Sequence, residues 1–196
     1  MKSWREWWAA GIGGQTGGNQ RIVESVIEKL RLTPDVSLLD VGCGDGSLLE
    51  KLPARKKNGV DFSPILVSRA KQRRLGVVQA EATKLPFEND SFDRVLSYSV
   101  LIYLSKEEAM RAVGEMKRVC KPGGLVLVGD LADKNNYEAG GRIGYNLVRE
   151  PLLSLLGVMR STYFDRKLFE KNGFELSVSA NSDLRFDALW KKPGGN

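Results

Sequence analysis

The stretch "LLDVGCGDGSLLEKL", residues 38–52, constrains the fold more than any other part of the chain. An apolar run of strand character ends in three glycines at alternate positions, and a helical pattern follows at once. A strand that turns into a helix in this way brings bare backbone against a ligand, and such turns hold nucleotides of several kinds. The spacing narrows the choice. Gly42, Gly44 and Gly46 make G-x-G-x-G, so the third glycine comes one residue early for the dinucleotide fingerprint. A triphosphate-cradling loop needs a lysine after the glycines, and "GDGS" has none. Asp45 stands inside the turn, where a carboxylate repels a pyrophosphate or triphosphate.

Around this turn the chain alternates helix and strand, which argues for a mostly parallel α/β sheet. Residues 19–31 put Ile22, Val23, Val26, Ile27 and Leu30 on one helical face, with Asn19 as N-cap. Strands are expected at "SLLDVG", at "GVDF" (59–62), at "GVVQAEA", at "FDRVLSYSVL" and at "LVLVGDL". Ser63 and Pro64 open one helix. Ser105 and Glu108 form a capping box for another, which buries Ala109, Val113, Met116 and Cys120. A last helix from Asp165 to Asn172 has Phe164 and Phe169 at staple positions and Gly173 at its end. "FELSVSA" and "FDALWKK" leave no room for a crossover, so they should pair antiparallel as a hairpin.

Two pieces stand outside this rhythm. Residues 132–162 are too long for a structureless loop, so one or two short helices are expected there, covering the substrate side. Residues 1–18, with Trp4, Trp7 and Trp8, read as an N-terminal lid segment. The 196 residues suggest one domain, 1–196, able to bury its own core.

Composition closes off several chemistries. There is no histidine, so the commonest general base is missing. Two cysteines, Cys43 and Cys120, make neither an ordinary zinc site nor a disulfide framework; both read as small packing residues, and no metal is expected. The N-terminus lacks an apolar h-region and no run approaches the length of a membrane span, which gives the expectation of a cytoplasmic protein without membrane insertion. The net charge of +6 comes partly from "RKK" at 55–57 and "SRAKQRR" at 68–74. These read as a solvated face rather than a nucleic-acid patch.

A ligand with an amino-acid end suits the turn better than a phosphate. Its carboxylate can meet backbone N–H groups, while Asp40 and nearby carbonyls favour its ammonium. Asp61, about twenty residues on, stands where a ribose diol is held. S-adenosylmethionine has both ends. The chain resembles the class I S-adenosylmethionine-dependent methyltransferases of the small single-domain, type 11-like kind. The resemblance rests on four stretches in order: "LLDVGCGDG", "GVDFSPILVSRAKQR", "AEATKLPFENDSFDRVLS" and "MKRVCKPGGLVLVGD". It covers roughly residues 36–131, and "FEKNGFE" extends it. It implies a Rossmann-like three-layer sandwich whose seven-stranded sheet is mostly parallel, with a C-terminal antiparallel hairpin.

The resemblance also implies roles. Asp40, Gly42, Cys43 and Gly44 line the methionine end. Asp61 takes the ribose hydroxyls, Phe62 packs on adenine, and Glu81, Ala82 and Thr83 lie toward the adenine edge. Ser97 offers its carbonyl to the amine, and Tyr98 and Ser99 stand near the methyl group. The expected activity is direct in-line methyl transfer to O, N or C of a small molecule, leaving S-adenosylhomocysteine. Orientation supplies most of the acceleration, and a protic acceptor would draw on Tyr98, Asp130 or Asp133 as base. Tyr137, Arg142, Tyr145, Arg160 and Tyr163 are the substrate-side candidates. The alternatives are an RNA or protein acceptor, or S-adenosylmethionine binding without catalysis. Oligomeric state is not legible.

Overall fold

Short-range chemistry sets where each element begins. The structure is a computed structural model that describes residues 19–135 and 162–195, together with Glu6 and Trp8. Helix α1 (Gln20–Leu30) starts at Asn19, whose side-chain oxygen accepts the Arg21 N–H at 3.0 Å. Strand β1 (Ser37–Val41) runs into the glycine turn, and α2 (Ser47–Lys51) leaves it. Then come β2 (Lys56–Asp61), α3 (Pro64–Gln72), β3 (Gly76–Gln79) and β4 (Phe92–Tyr98). A 3-10 turn at Leu101–Tyr103 leads to α4 (Lys106–Val119), where the Ser105–Glu108 capping box is fully formed. Strand β5 (Cys120–Asp133), the short β6 (Tyr163–Phe164), α5 (Arg166–Lys171), β7 (Glu175–Val178) and β8 (Arg185–Lys191) complete the described chain.

The sheet order is β3-β2-β1-β4-β5-β8-β7. Strands β1 to β5 pair in parallel, and β8 is antiparallel to both β5 and β7. The C-terminal hairpin therefore inserts its second strand next to β5. Burial explains the choice: Phe186, Asp187 and Ala188 of β8 are buried, whereas β7 is mostly exposed and takes the edge. Among the described residues the sheet has eight strands rather than the expected seven. The eighth is β6, whose Tyr163 and Phe164 pair with Ala132 and Asp133 at the end of β5. Two other boundaries differ. Strand β3 stops at Gln79, and β4 stops at Tyr98 because Ser99 takes a left-handed φ of 58°.

Alternation along the strands builds three layers. Leu38, Leu96, Leu125 and Leu127 face Val26, Leu30, Leu49, Val67 and Ala70 of α1, α2 and α3. Leu39, Val41, Val95, Val126 and Val128 face Ala112, Val113 and Met116 of α4 and Phe169 of α5. No helix of the described residues is long and apolar enough to cross a membrane.

Helix α5 has only six residues and is held by its ends. The Asp165 carboxylate accepts the Lys167 N–H at 2.9 Å. Gly173, at φ 80°, closes a double bond in which the Gly173 and Phe174 amides reach the Glu170 and Phe169 carbonyls. The Phe169 ring meets Phe164, Phe174 and Phe186 edge-on at 5.5–5.7 Å. Phe169→Ala is expected to cost about 3–5 kcal/mol, read as a lower urea midpoint with an unchanged slope. A loss below about 1 kcal/mol would show that this cluster is not what holds α5.

Candidate functional site

The carboxyl ends of β1, β2, β3, β4 and β5 gather the expected residues along one end of the sheet. Gly42, Gly44 and Gly46 all have positive φ, at 81°, 56° and 79°. At Gly42 a side chain is excluded twice over. The φ is left-handed, and a Cβ there would lie 2.3 Å from a Val100 γ-carbon. The turn thus abuts the segment that follows β4.

The turn is pinned by its own amides. Gly42 and Cys43 both donate to the Val60 carbonyl, at 2.7 and 2.9 Å. The Gly44 N–H donates to Asp61 Oδ2 at 3.0 Å, and the Gly46 N–H to the Cys43 carbonyl at 3.0 Å. These N–H groups are therefore spent inside the protein and do not wait for a ligand carboxylate, contrary to the expectation from sequence. What the turn has left to offer is close approach, carbonyl oxygen and the Asp45 N–H, for which no acceptor is described.

Asp45 also differs from its expected part. Its Oδ1 accepts the Ser47 N–H at 3.0 Å, and Arg73 pairs with its Oδ2 at 3.4 Å. The carboxylate fills the first turn of α2, so the protein's own anion sits where a phosphate would bind. It disfavours phosphates by occupancy as well as by charge.

Asp40 is the unusual group. It is 3% exposed, and its carboxylate has no described hydrogen-bond or ion-pair partner. Burial, reinforced by the charge of Asp61, pushes its carboxyl up to about 7. A buried carboxylate in this state calls for a cationic partner. An ammonium supplies one, so the donor set here fits the amino-acid end of S-adenosylmethionine. Asp61 is raised by burial and pulled back by the Ser63 and Gly44 amides; its Oδ1 accepts the Ser63 N–H at 2.9 Å.

The remaining cofactor-side candidates fall into place unevenly. Phe62 is half-buried, and its carbonyl accepts the Gln79 side chain at 3.0 Å. Glu81 is exposed, while Ala82 and Thr83 are half-buried. The Ser97 hydroxyl is buried and donates to the Val41 carbonyl at 2.9 Å, tying β4 to β1. The Cys43 thiol packs away from the turn; a Cβ on Gly59 would lie 2.7 Å from it, and burial pushes its pKa up.

Tyr98 packs inward rather than over the site. Its ring lies on Gly129, where a Cβ would come within 2.2 Å of it, and its hydroxyl meets Ser179 Oγ at 3.2 Å. Burial raises its pKa further. Asp130 is 2% exposed at φ 63° and is the hub of a network that sequence reasoning missed. Ser99 Oγ donates to its Oδ2 at 2.5 Å, Asn181 Nδ2 to its Oδ1 at 3.0 Å, and Arg185 Nη1 to its Oδ2 at 3.1 Å. The Asp130 N–H donates to Asp187 Oδ1 at 2.8 Å, and Asp187 Oδ2 pairs with Lys29 at 2.7 Å. Two acids and two bases balance one another. The only sequence signal was Asp187 itself, an acid amid the apolar "FDALW". Asp133 is separately paired with Arg166 at 2.6 Å.

On the substrate side, Tyr163 lies half-buried in β6. Tyr137, Arg142, Tyr145 and Arg160 lie outside the described residues, as do Trp4, Trp7 and the helices expected between 132 and 162. Trp8 meets the Tyr103 ring edge-on at 5.2 Å, against the turn that follows β4.

Known proteins resemble this chain in sequence and fold. Residues 39–128 match a family model described as a methyltransferase domain. The uncharacterized methyltransferase YodH of Bacillus subtilis is 33% identical over 125 residues, covering 60% of this chain and 52% of YodH. Erythromycin 3''-O-methyltransferase of Saccharopolyspora erythraea is 32% identical over 148 residues, covering 68% of this chain and 47% of that protein. The chain thus spans about half the length of these curated relatives. A chain from the complex between the Haloferax volcanii Trm112 methyltransferase activator and a methyltransferase superposes with a TM-score of 0.72 at 17% identity, covering 97% of each; that likeness is one of fold. Glycine turn, sheet order and family match agree: residues 39–128 form a methyltransferase domain, on a fold shared with S-adenosylmethionine-dependent methyltransferases.

Proposed function

We propose that the chain transfers the methyl group of S-adenosylmethionine to a small-molecule acceptor by direct in-line displacement. The observation that carries this reading is Asp40, a buried carboxylate without a described partner beside a turn four of whose five amides are already used. When bound, S-adenosylmethionine supplies an electrophilic methyl on a sulfonium, which passes to the acceptor's lone pair as the C–S electrons return to sulfur. Asp40 then holds the ammonium, Asp61 the ribose hydroxyls, and Phe62 the adenine face. Glu81, Ala82 and Thr83 border the adenine edge.

Ser99 and Asp130 serve the acceptor side. The Ser99 proton is committed to Asp130, so its lone pairs are left to accept from an O–H or N–H of the acceptor. A proton released by the acceptor can pass through Ser99 to the Asp130 carboxylate. Tyr98 is not given this task, because its hydroxyl is turned to Ser179. Tyr163 and, from the segment before it, Tyr137, Arg142, Tyr145 and Arg160 are proposed to contact the acceptor. Residues 1–18 are proposed to close over the cofactor.

A small acceptor is favoured over RNA by where the basic residues lie. Lys56 opens β2 and Arg74 precedes β3, at the amino ends of strands whose carboxyl ends form the site. Two more cations are used internally: Lys57 caps the Glu50 and Leu52 carbonyls, and Arg73 pairs with Asp45 and Glu50.

Incubation with methyl-tritiated S-adenosylmethionine and cell extract tests the reading. Label is expected in the low-molecular-weight fraction; label in tRNA or protein would favour the alternative. With a labelled acceptor fraction in hand, Asp130→Asn should lower turnover about 100-fold while leaving S-adenosylhomocysteine affinity nearly unchanged. Tyr98→Phe should cost about 1 kcal/mol of stability and leave turnover near wild type; a large loss of turnover would restore Tyr98 as a base.

A further inference from the structure

We propose that Asp61 is a positioning residue for the amino-acid end of the cofactor, as well as the holder of its ribose. The inference rests on the cofactor reading above and goes beyond the ribose contact.

Both oxygens of Asp61 are already engaged with backbone. Oδ2 accepts the Gly44 N–H at 3.0 Å and Oδ1 the Ser63 N–H at 2.9 Å, and the residue is 7% exposed. The first bond spans 17 residues and crosses from the end of β2 into the middle of the glycine turn. The turn has two other anchors on β2, both on the Val60 carbonyl and both made by its first two residues. Gly44 itself is left-handed, at φ 56°. Of the bonds described there, the Asp61 bond is the one that draws the Gly44 amide toward β2.

Its consequence is chemical. A Gly44 N–H turned toward the ligand would present a donor to an ammonium, which is repulsive. Drawn back onto Asp61, it leaves the turn's carbonyl edge and the Asp40 carboxylate to receive that ammonium. Each Asp61 oxygen still has a second acceptor direction, so a ribose diol can share the carboxylate with the backbone. One side chain therefore links the two halves of the ligand: the group that reads the sugar also sets the polarity of the seat for the amino acid.

Trimming the ligand separates the two roles. S-adenosylhomocysteine and 5'-methylthioadenosine share the nucleoside, and only the first has the amino-acid end. Calorimetry on the full chain would give both affinities for wild type and Asp61→Asn. In the variant an amide NH₂ faces one of the two backbone donors. If Asp61 only holds ribose, both ligands weaken by the same factor. The proposal expects S-adenosylhomocysteine to weaken at least tenfold more than methylthioadenosine. Equal weakening, whatever its size and whatever the fall in melting temperature, overturns the coupling and leaves the cofactor reading standing. Wild-type protein that binds neither ligand overturns both. A second measurement needs no variant: in ¹⁵N spectra of ligand-free wild type, the Gly44 and Ser63 amides should titrate together with the Asp61 carboxyl. A Gly44 amide indifferent to that titration overturns the proposal even if Asp61→Asn fails to fold.

Discussion

Asp40→Asn is expected to weaken S-adenosylhomocysteine binding by roughly 10- to 100-fold and to make the ligand-free protein more stable above pH 7. Both effects follow from one carboxylate. In the free protein it is buried, lacks a described partner and lies close enough to Asp61 to feel its charge. Its folded pKa of about 7 lies above the unfolded value of 3.8, so the folded state disfavours the ionised form. Stability attributable to Asp40 is complete below pH 4 and is lost as pH rises toward 7. The loss is on the order of a few kcal/mol. Asparagine keeps the shape without the charge. It should melt with wild type at pH 4 and above it at pH 8, with part of the gain offset by burying an unpaired amide. Binding runs the other way: the ammonium needs the ionised form, so wild-type affinity should rise about tenfold per unit between pH 5 and 7 and then level. Asp40→Asn should flatten that profile. An unchanged profile would remove Asp40 from the ammonium site.

Gly42→Ala should be nearly as damaging, for a steric reason. The φ of 81° costs an L-residue about 1 kcal/mol or more. The new methyl would also sit 2.3 and 2.9 Å from the two γ-carbons of Val100, forcing the turn and the segment after β4 apart. Crowding of this kind costs about 1–3 kcal/mol, and the displaced turn no longer sets Asp40 and Gly44 for the ligand. Affinity for S-adenosylhomocysteine is expected to fall about 100-fold, with a lower melting temperature. Adding Val100→Ala should restore part of the stability, because the clash is with that side chain, while the φ penalty remains. A single variant that binds like wild type would show that the turn tolerates a side chain.

Much of the fold around the site was legible because its chemistry is local. Asn19, Ser63, Ser105 and Asp165 announced helix starts through bonds within three residues, and all four cap as expected. The strand ends holding Asp40, Asp61 and Ser97 followed from apolar runs that stop at glycine or acid. What sequence could not supply were groups brought together across the sheet. Asn181 and Arg185 reach Asp130 from 51 and 55 residues away, and Lys29 reaches Asp187 across 158. No spacing encodes such pairs. The resemblance places Tyr98 near the methyl group; the absent side chain at Gly129 lets the ring lie inward instead. Asp45 carries partners that spacing does not announce, the Ser47 N–H and Arg73, so it is not a bare charge.

The central claim is that the turn at residues 42–46 seats an amino-acid-bearing nucleoside and not a dinucleotide. Isothermal titration of the same protein with S-adenosylmethionine and with NAD tests it most directly. The account predicts one S-adenosylmethionine site per chain, with affinity that falls below pH 7, and no heat of binding from NAD. Binding of NAD, or S-adenosylmethionine binding that is indifferent to Asp40→Asn, would contradict it.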